Sequence, residues 1–251
     1  RIAKLLEQGA RARGYQLLIA SSDDAPDSER QLLQLFRARR CDALIVASCL
    51  PAGDDSYLQL QAKGIPIIAI DRVMEPEHFC SVISDDREAS LQLTRSLLEP
   101  QPKQIALIGA RPELSISQER CAGFKEALAG FNGEVLIEEG ESFSRECGKQ
   151  LMEELLQRLG HLPDALVTTS YVLLQGVFDA LHDFPLKNRP LRLGTFGDTQ
   201  LLDFLPLPVN AMAQQHQLIA DKAMELALAA VEQSEYKPGV QAIARTFKQR
   251  I

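Results

Sequence analysis

Polar side chains follow six apolar stretches of this sequence, and their types suit the binding of a small hydroxylated anion. Carboxylates accept hydrogen bonds from hydroxyl groups, and arginine offers a planar fork of donors that matches phosphate oxygens. Ligands of open parallel sheets bind at the carboxyl ends of the strands, so these positions are the first candidates for a site. The groups are Asp71–Arg72, Ser84–Asp85–Asp86, the segment 110–120, Thr169–Ser170–Tyr171, Gly197–Asp198 and Gln214–Gln215–His216.

The stretch "IPIIAIDRV" at 65–73 is the clearest of these. Its apolar part follows Gly64 and predicts a strand that is buried on both faces. Asp71 and Arg72 stand directly at its carboxyl end. A strand-end aspartate alone is more often a turn residue, and a single arginine is more often a surface ion-pair partner.

Arg120 is the last residue of the segment "PELSISQER", which predicts the start of a helix. Ser115 or Ser117 is the expected N-cap, with Gln118 completing a capping box. A helix N-terminus favours an anion, so a cation there is consistent with a bound phosphate. The alternative is an ion pair with a nearby glutamate, Glu113 or Glu119. Neither Arg72 nor Arg120 lies in the apolar part of its element, so we expect replacement of either to change stability little.

No arrangement of residues indicates catalysis. The sequence contains no phosphate loop, no dinucleotide-binding glycine motif, no H-E-x-x-H zinc motif and no G-x-S-x-G nucleophile motif. The histidines, His78, His161, His182 and His216, lie in separate segments without ligand-type spacing. A binding protein is therefore favoured over an enzyme, and a sugar-phosphate isomerase on a similar sheet is supported only by fold class.

Composition narrows the class further. The net charge of −7 over 251 residues argues against direct binding of nucleic acid by this chain. The five cysteines are odd in number and form no C-x-x-C pair, which indicates thiols in a reducing compartment rather than disulfides or zinc ligands. No apolar run is long enough to span a membrane, and no signal peptide is visible.

Helices and strands alternate along the chain, which predicts parallel sheets covered by helices in an α/β fold. The proline-rich segment "PQPKQ" at 100–104 divides this alternation into two lobes. Strands are expected at 15–24, 42–48, 65–70, 80–83, 105–109, 133–140, 164–168 and 191–196, with extended segments at 206–215 and 240–251. Helices are expected at 1–13, 29–40, 55–64, 87–99, 117–130, 144–159, 172–183 and 216–233.

Several segments together resemble the effector-binding core of the LacI/GalR transcriptional regulators. They are "RARGYQLLIASSDDAPDSERQLLQLFRARRCDALIVAS", "IDR", "SDD", "SISQERCAGF" and "TFGD". Within the family, "TTSYVLLQGVFDAL" and "TFGDTQLLDFLPLPVNAMAQQH" resemble members that respond to phosphorylated fructose. The resemblance implies a periplasmic-binding-protein-like fold of type I, with two doubly wound lobes and a ligand cleft between them.

The resemblance also implies a function. We expect a cytoplasmic regulator of central carbon metabolism that releases DNA on binding its effector, with fructose 1-phosphate favoured over fructose 1,6-bisphosphate. No cofactor or metal is expected. The alternative is a periplasmic sugar-binding protein of an ABC transporter, which the unpaired cysteines disfavour.

Site residues follow from the family motifs. The ligand-binding Asp-Arg pair falls on Asp71 and Arg72, the arginine of R-x-x-G-F on Arg120, the late-strand aspartate on Asp198, and either Tyr171 or Phe196 supplies the ring that packs on the sugar. The effector-binding residues that we predict are Asp71, Arg72, Ser115, Ser117, Arg120, Ser170, Tyr171, Phe196, Asp198 and Gln214.

The family topology implies an N-terminal lobe at 1–100 plus 215–241 and a C-terminal lobe at 101–214 plus 242–251. The family's helix-turn-helix domain and a first strand before the helix at 1–13 are absent from this numbering, so we expect operator DNA to be bound only through that absent domain. Two-fold operators imply a homodimer, with a tetramer as the alternative. Its expected interface elements are the helices at 1–13, 29–40 and 217–232. No membrane partner is expected.

Overall fold

The structure is a computed structural model that describes residues 1–182, 191–205 and 207–251. The helices are α1 (Ile2–Arg11), α2 (Pro26–Ala38), α3 (Ser56–Gln61), α4 (Asp86–Arg95), α5 (Ser115–Ala127), α6 (Arg145–Leu159), α7 (Tyr171–His182) and α8 (His216–Glu232). The strands are β1 (Leu44–Val46), β2 (Ile67–Ile70), β3 (Cys80–Ser84), β4 (Gln104–Ala110), β5 (Glu134–Gly140), β6 (Ala165–Thr168), β7 (Arg192–Phe196), β8 (Val209–Ala213), β9 (Gly239–Ile243) and β10 (Thr246–Lys248). A short 3-10 helix covers Gln200–Phe204. The predicted end of the seventh helix, Asp183, lies outside the described residues.

The chain divides into two compact units. Unit 1 contains Arg1–Ser84 and Gln215–Ile243, and unit 2 contains Asp85–Gln214 and Ala244–Ile251. The sequence placed the first boundary at about residue 100, whereas here α4 belongs to unit 2. The reason is close packing of α4 on α5: a Cβ on Gly123 would lie 2.1 Å from the backbone oxygen of Arg87.

Unit 1 is built on a four-stranded parallel sheet in the order β1-β2-β3-β9. One face packs against α1 and α8, and the other packs against α2 and α3. Successive residues of β2 serve these two faces, since Ile67 belongs to the second cluster and Ile68 to the first. Because both faces are covered, the strand is apolar at every position, as the sequence predicts.

The expected strand at 15–24 is wrong. This segment forms no ladder in the structure, and Leu18 and Ile19 are 55% and 64% exposed. Residues 15–20 and Leu44–Ala47 both line a cavity of about 550 Å³. An apolar run becomes a strand only where a neighbouring backbone pairs with its N–H and C=O groups, and 15–24 pairs with none of the described strands.

Unit 2 is built on a six-stranded sheet in the order β10-β8-β7-β6-β4-β5. All pairs are parallel except β10 with β8. Ile105 and Leu107 of β4 pack toward α4 and α5, and Ala106 and Ile108 pack toward α6 and α7. The two core clusters therefore lie on opposite faces of one sheet, and the carboxyl ends of its parallel strands lie along one edge.

The α/β fold with parallel sheets that the sequence predicts is confirmed. Among the described helices, none is long and apolar enough to cross a membrane.

Candidate functional site

In unit 1, β2 delivers Asp71 and Arg72 to the carboxyl edge of its sheet. The backbone turns sharply there, because Asp71 has a φ of +66° and the Arg72 N–H donates to Ile70 O at 2.7 Å. Asp71 N–H still donates to Val82 O at 3.2 Å, so the pair is anchored to the end of β3. An aspartate tolerates the left-handed backbone region better than most residues, which accounts for its position at this turn.

The Arg72 guanidinium is held on two sides. Nη1 donates to Ser48 O at 2.9 Å, and Nη2 donates to Asp24 Oδ1 at 2.7 Å. The Arg72 side chain is 15% exposed, whereas that of Asp24 is 48% exposed. Its Nε–H is buried and has no hydrogen-bond partner among the described residues. A buried donor without a partner is costly, so Nε is a candidate for ligand binding.

Sequence reasoning missed the carboxylate that holds the loop behind Arg72. Glu29, in the first turn of α2, is buried and accepts hydrogen bonds from Cys49 N, Cys49 Sγ and Tyr57 Oη. Burial raises the pKa of Glu29, but hydrogen bonds from Cys49, Ser48 and Tyr57 outweigh it, and the net pKa is lowered. Burial and the hydrogen bond to Glu29 raise the pKa of Cys49 to about 11, and the same two causes raise the pKa of Tyr57.

In unit 2, Arg120 lies on α5 and is buried. Nη1 donates to Thr169 O at 2.7 Å, and Nη2 donates to Asp86 Oδ2 at 3.1 Å. The pairing with Glu113 or Glu119 considered from the sequence is wrong, because Asp86 is the carboxylate partner and Glu113 pairs with Arg111. Removing Arg120 would break a buried ion pair, so we now expect a clear loss of stability for this residue in place of the small effect expected from the sequence.

Asp86 joins a second buried arginine to the first. Arg245 Nε donates to Asp86 Oδ1 at 2.6 Å. The guanidinium carbons of Arg120 and Arg245 lie 4.5 and 5.2 Å from the centroid of the Phe196 ring. The ring of Phe196 is therefore covered by two cations, which are attracted to its face. The sequence suggested that Phe196 could instead pack on a sugar ring. Phe196 is 2% exposed, so neither face of its ring is open to a ligand in this arrangement.

Arg120 and the residue whose carbonyl accepts from it each carry a buried donor that has no partner among the described residues. The hydroxyl of Thr169 is buried without a hydrogen-bond partner among the described residues, and so is Arg120 Nε. The carbonyl of Thr169 accepts a hydrogen bond from Arg120, so the Thr169 hydroxyl lies close to the Arg120 guanidinium. Thr169 was noticed in the sequence as a strand-end residue but was not predicted as a site residue.

Two of the three predicted serines, Ser117 and Ser170, make hydrogen bonds to the backbone of their own unit. The N-cap of α5 is Leu114, without a side-chain cap, so the predicted capping box is wrong. Ser117 Oγ instead donates to Ala110 O at 2.6 Å, and Ser115 is exposed in the first turn. At the start of α7, Ser170 Oγ accepts from Val172 N at 3.2 Å.

The remaining predicted residues are placed as follows. Tyr171 is half-buried against the core of unit 2, and its Cβ lies 3.1 Å from where a Cβ on Gly197 would stand. Asp198 accepts from Arg250 Nη2 at 2.9 Å, which ties it to the C-terminal segment. Gln214 directly follows β8 and is partly buried. The roles of these residues toward a ligand stay predictions.

The described residues contain no group of histidine, cysteine, aspartate or glutamate side chains that could hold a metal ion. Among the buried side-chain atoms of the described residues, Nε of Arg72 in unit 1 lacks a partner, and so do Nε of Arg120 and Oγ1 of Thr169 in unit 2. The two Nε–H groups are donors, and the hydroxyl can donate or accept. Such a set suits an anionic, oxygen-rich ligand.

Comparison with known proteins agrees with this chemistry. The family model described as "Periplasmic binding proteins and sugar binding domain of LacI family" matches residues 1–183. The fructose operon regulatory protein of Vibrio cholerae is 46% identical over 250 residues, covering 100% of this chain and 76% of that protein. The catabolite repressor/activator of Escherichia coli K12 is 40% identical over 253 residues, covering 100% and 75%.

A crystal structure of the Cra transcriptional dual regulator from Pseudomonas putida in complex with fructose 1-phosphate is also similar. It is 73% identical, with a TM-score of 0.96, and the match covers 100% of this chain and 93% of that one. These relatives are named as regulators of transcription and not as enzymes. The chain belongs to the family of periplasmic binding proteins and sugar-binding domains of LacI-type regulators.

Proposed function

We propose that this chain is the effector-binding part of a transcription regulator, and that its effector is fructose 1-phosphate. The observation that carries the proposal is the 73% identity, over the whole of this chain, to a Cra regulator whose structure contains that ligand. The alternative of an ABC-transporter binding protein has no comparable support, since the relatives at 40% identity and above are regulators. Effector binding would lower the affinity of the regulator for operator DNA.

The polar groups of both units support a phosphorylated ligand. Arg72 and Arg120 each have a buried Nε–H that lacks a partner among the described residues, and Thr169 contributes a hydroxyl. A phosphate dianion binds through charge-assisted hydrogen bonds worth roughly 1.5–3 kcal/mol each. We propose that Arg72 and Arg120 donate to the effector, with Asp71 as an acceptor for sugar hydroxyls.

Calorimetry with a panel of ligands tests the proposal. The panel is fructose 1-phosphate, fructose 1,6-bisphosphate, fructose and inorganic phosphate. We expect fructose 1-phosphate to bind most tightly. Preference for fructose 1,6-bisphosphate would correct the effector, and tight binding of fructose alone would favour the transporter alternative.

Two variants test the residues. Arg72→Ala removes one guanidinium, and Arg120→Lys keeps the buried charge but loses the planar fork. Each should weaken binding of fructose 1-phosphate on the order of 10- to 100-fold. The matched control is Arg87→Ala, which removes an exposed arginine paired with Glu126. If both variants bind like the parent, the assignment of Arg72 and Arg120 is wrong.

We also propose that the chain forms a homodimer, as regulators of two-fold operators do. The 3-10 helix Gln200–Phe204 carries Leu201 and Phe204, which are 62% and 83% exposed. Adjacent exposed apolar side chains of this size indicate a surface that another protein covers, and a second copy of this chain is the occupant we propose. Sedimentation of the parent and of Phe204→Glu tests this: a monomeric parent at micromolar concentration would contradict it, and a tetramer would extend it.

The proposed location is the cytoplasm, where a transcription regulator meets DNA. The five cysteines support it, since all of them are free thiols.

A further inference from the structure

We propose that Glu29 is a positioning residue for Arg72, acting through the Ser48–Cys49 turn. This inference rests on the proposed function, because Arg72 is taken as an effector donor. Glu29 lies on α2, and its hydrogen bonds from Cys49 and Tyr57 do not involve the Arg72 guanidinium. Three steps link Glu29 to Arg72. The buried carboxylate of Glu29 fixes the turn at Ser48–Cys49, and the Ser48 carbonyl in that turn holds Arg72.

The first step is the burial of Glu29. Its residue is 5% exposed, and no ion pair within the described part of the chain includes it. A buried carboxylate without a cation is unfavourable unless hydrogen bonds replace its lost hydration. Those bonds come from Cys49 N at 2.8 Å, Cys49 Sγ at 2.8 Å and Tyr57 Oη at 2.5 Å, and the Ser48 side chain contributes a further one. Tyr57 is itself 2% exposed, so the carboxylate is held from both sides.

The second step is the turn. Glu29 Oε2 takes both Cys49 bonds, so one oxygen of the carboxylate fixes the backbone of Cys49. The preceding residue is Ser48, and its hydroxyl accepts from Leu50 N at 3.1 Å, which closes the turn. The position of the Ser48 carbonyl is thus set by the carboxylate of α2.

The third step is Arg72. Ser48 O accepts from Arg72 Nη1 at 2.9 Å. The other partner of this guanidinium, Asp24, is half exposed and has a φ of +56°, so it stands on an irregular loop. The Ser48 carbonyl is the more firmly held of the two anchors. Binding groups must stay within about half an ångström of their productive geometry, so a displaced carbonyl would misplace the donors of Arg72.

Variants of Glu29 separate positioning from simple stabilisation. Glu29→Met keeps the length of the side chain but removes both acceptors, and Glu29→Gln restores an oxygen that can accept from Cys49 N. The matched control is Tyr57→Phe, which removes a hydrogen bond from the other carboxylate oxygen and leaves the Cys49 bonds in place. We expect Glu29→Met to weaken fructose 1-phosphate binding on the order of 3- to 10-fold. Displacing the Ser48 carbonyl would weaken, without abolishing, the charge-assisted hydrogen bond from Arg72 to the effector. Glu29→Gln and Tyr57→Phe should remain within about twofold of the parent by the same reasoning.

A double-mutant cycle with Arg72→Ala decides the route. If Glu29 acts through Arg72, Glu29→Met should have no further effect on binding in the Arg72→Ala background. An undiminished effect in that background would overturn the proposal, as would parent-like binding by Glu29→Met. Should Glu29→Met fail to fold, Glu29→Asp takes its place, because it withdraws the carboxylate by one methylene.

A ligand-free measurement separates this inference from the proposed function. The Nε–H NMR resonance of Arg72, assigned by its disappearance in Arg72→Ala, should shift in Glu29→Met and stay in place in Tyr57→Phe. An unshifted resonance in Glu29→Met would overturn the positioning role whatever the effector is. A shifted resonance in a protein whose parent does not bind fructose 1-phosphate would support the positioning role and refute the proposed effector.

Discussion

Replacing Asp86 by alanine should destabilise unit 2 far more than a typical surface substitution. Asp86 holds two buried guanidiniums, through Arg120 Nη2 at 3.1 Å and Arg245 Nε at 2.6 Å. The three side chains are 4–8% exposed, so solvent cannot replace the lost carboxylate without rearrangement. Removing one partner of a buried ion pair costs about 3–5 kcal/mol. Since two cations depend on this carboxylate, we expect a loss toward the upper part of that range.

Two comparisons make the expectation specific. Asp86→Asn keeps one oxygen acceptor but removes the charge, and should cost about half as much, on the order of 2 kcal/mol. Arg87→Ala changes the next residue in the chain, whose ion pair with Glu126 is exposed, with side chains 57% and 47% accessible. Exposed pairs of this kind contribute about 0.2–1 kcal/mol, so this control should stay close to the parent.

Urea denaturation followed by circular dichroism measures the three free energies of unfolding. Because the chain has two units that can unfold separately, hydrogen exchange of the β4 amides provides a second measure that belongs to unit 2. We expect the order Asp86→Ala, Asp86→Asn, Arg87→Ala, from largest loss to smallest. If Asp86→Ala loses no more than Arg87→Ala by both measures, the buried carboxylate is not what balances the two arginines, and the reasoning fails.

Three further predictions concern the free energy of unfolding. Gly123→Ala should lower the free energy of unfolding by about 1–3 kcal/mol or more, because the new Cβ would lie 2.1 Å from a backbone oxygen of α4. Thr195→Val should cost about 1–3 kcal/mol by leaving the buried Thr168 hydroxyl without its acceptor at 2.8 Å, whereas Thr168→Val should cost less because Thr195 still donates to Phe196 O. The free energies of unfolding of Glu29→Gln and the parent should differ most above pH 4.5, the ordinary pKa of a glutamate. The folded state lowers the pKa of Glu29, so its carboxylate stabilises the fold above pH 4.5, and this contribution is lost as the pH falls through the folded-state pKa. Urea denaturation checks the first two, and repeating it from pH 7 to pH 3 checks the third, where a difference that grows on acidification would contradict it.

The sequence predicts elements well where local pattern and burial agree. The apolar run at 65–70 became β2 because both faces of its sheet are covered by helices. The segment at 15–24 contains a similar but shorter apolar run, Leu17–Ala20, yet it pairs with none of the described strands and remains outside the sheet. Strand formation depends on a partner that periodicity does not reveal, which is why the two similar stretches differ.

The positions of the polar side chains along the chain were easier to predict than the partners that these side chains bind. Asp86 was visible as one of several strand-end carboxylates, yet nothing in its spacing shows that it takes Arg120 from α5 and Arg245 from the far end of the chain. The nearest glutamates in sequence were the natural candidates, and they were wrong: Arg120 pairs with Asp86, and Glu113 pairs with Arg111. Glu29 carried no signal at all, since an acidic residue in a first helical turn is ordinary and its burial arises from tertiary packing.

Arg72 and Arg120 are held in the same way although they stand on different kinds of element. In each, Nη1 donates to a backbone carbonyl, Nη2 donates to a carboxylate, and Nε–H is buried without a partner among the described residues. A guanidinium fixed by two of its nitrogens has already lost its rotamer freedom, so a ligand that takes the remaining donor meets little further ordering cost. The carboxylates differ in a way that bears on roles. Asp24 is half exposed, so phosphate can displace it at small cost, whereas Asp86 is buried and shared with a second arginine. Arg72 is therefore the better candidate for direct phosphate binding, and Arg120 for a donor whose orientation stays constant whether or not the effector is bound.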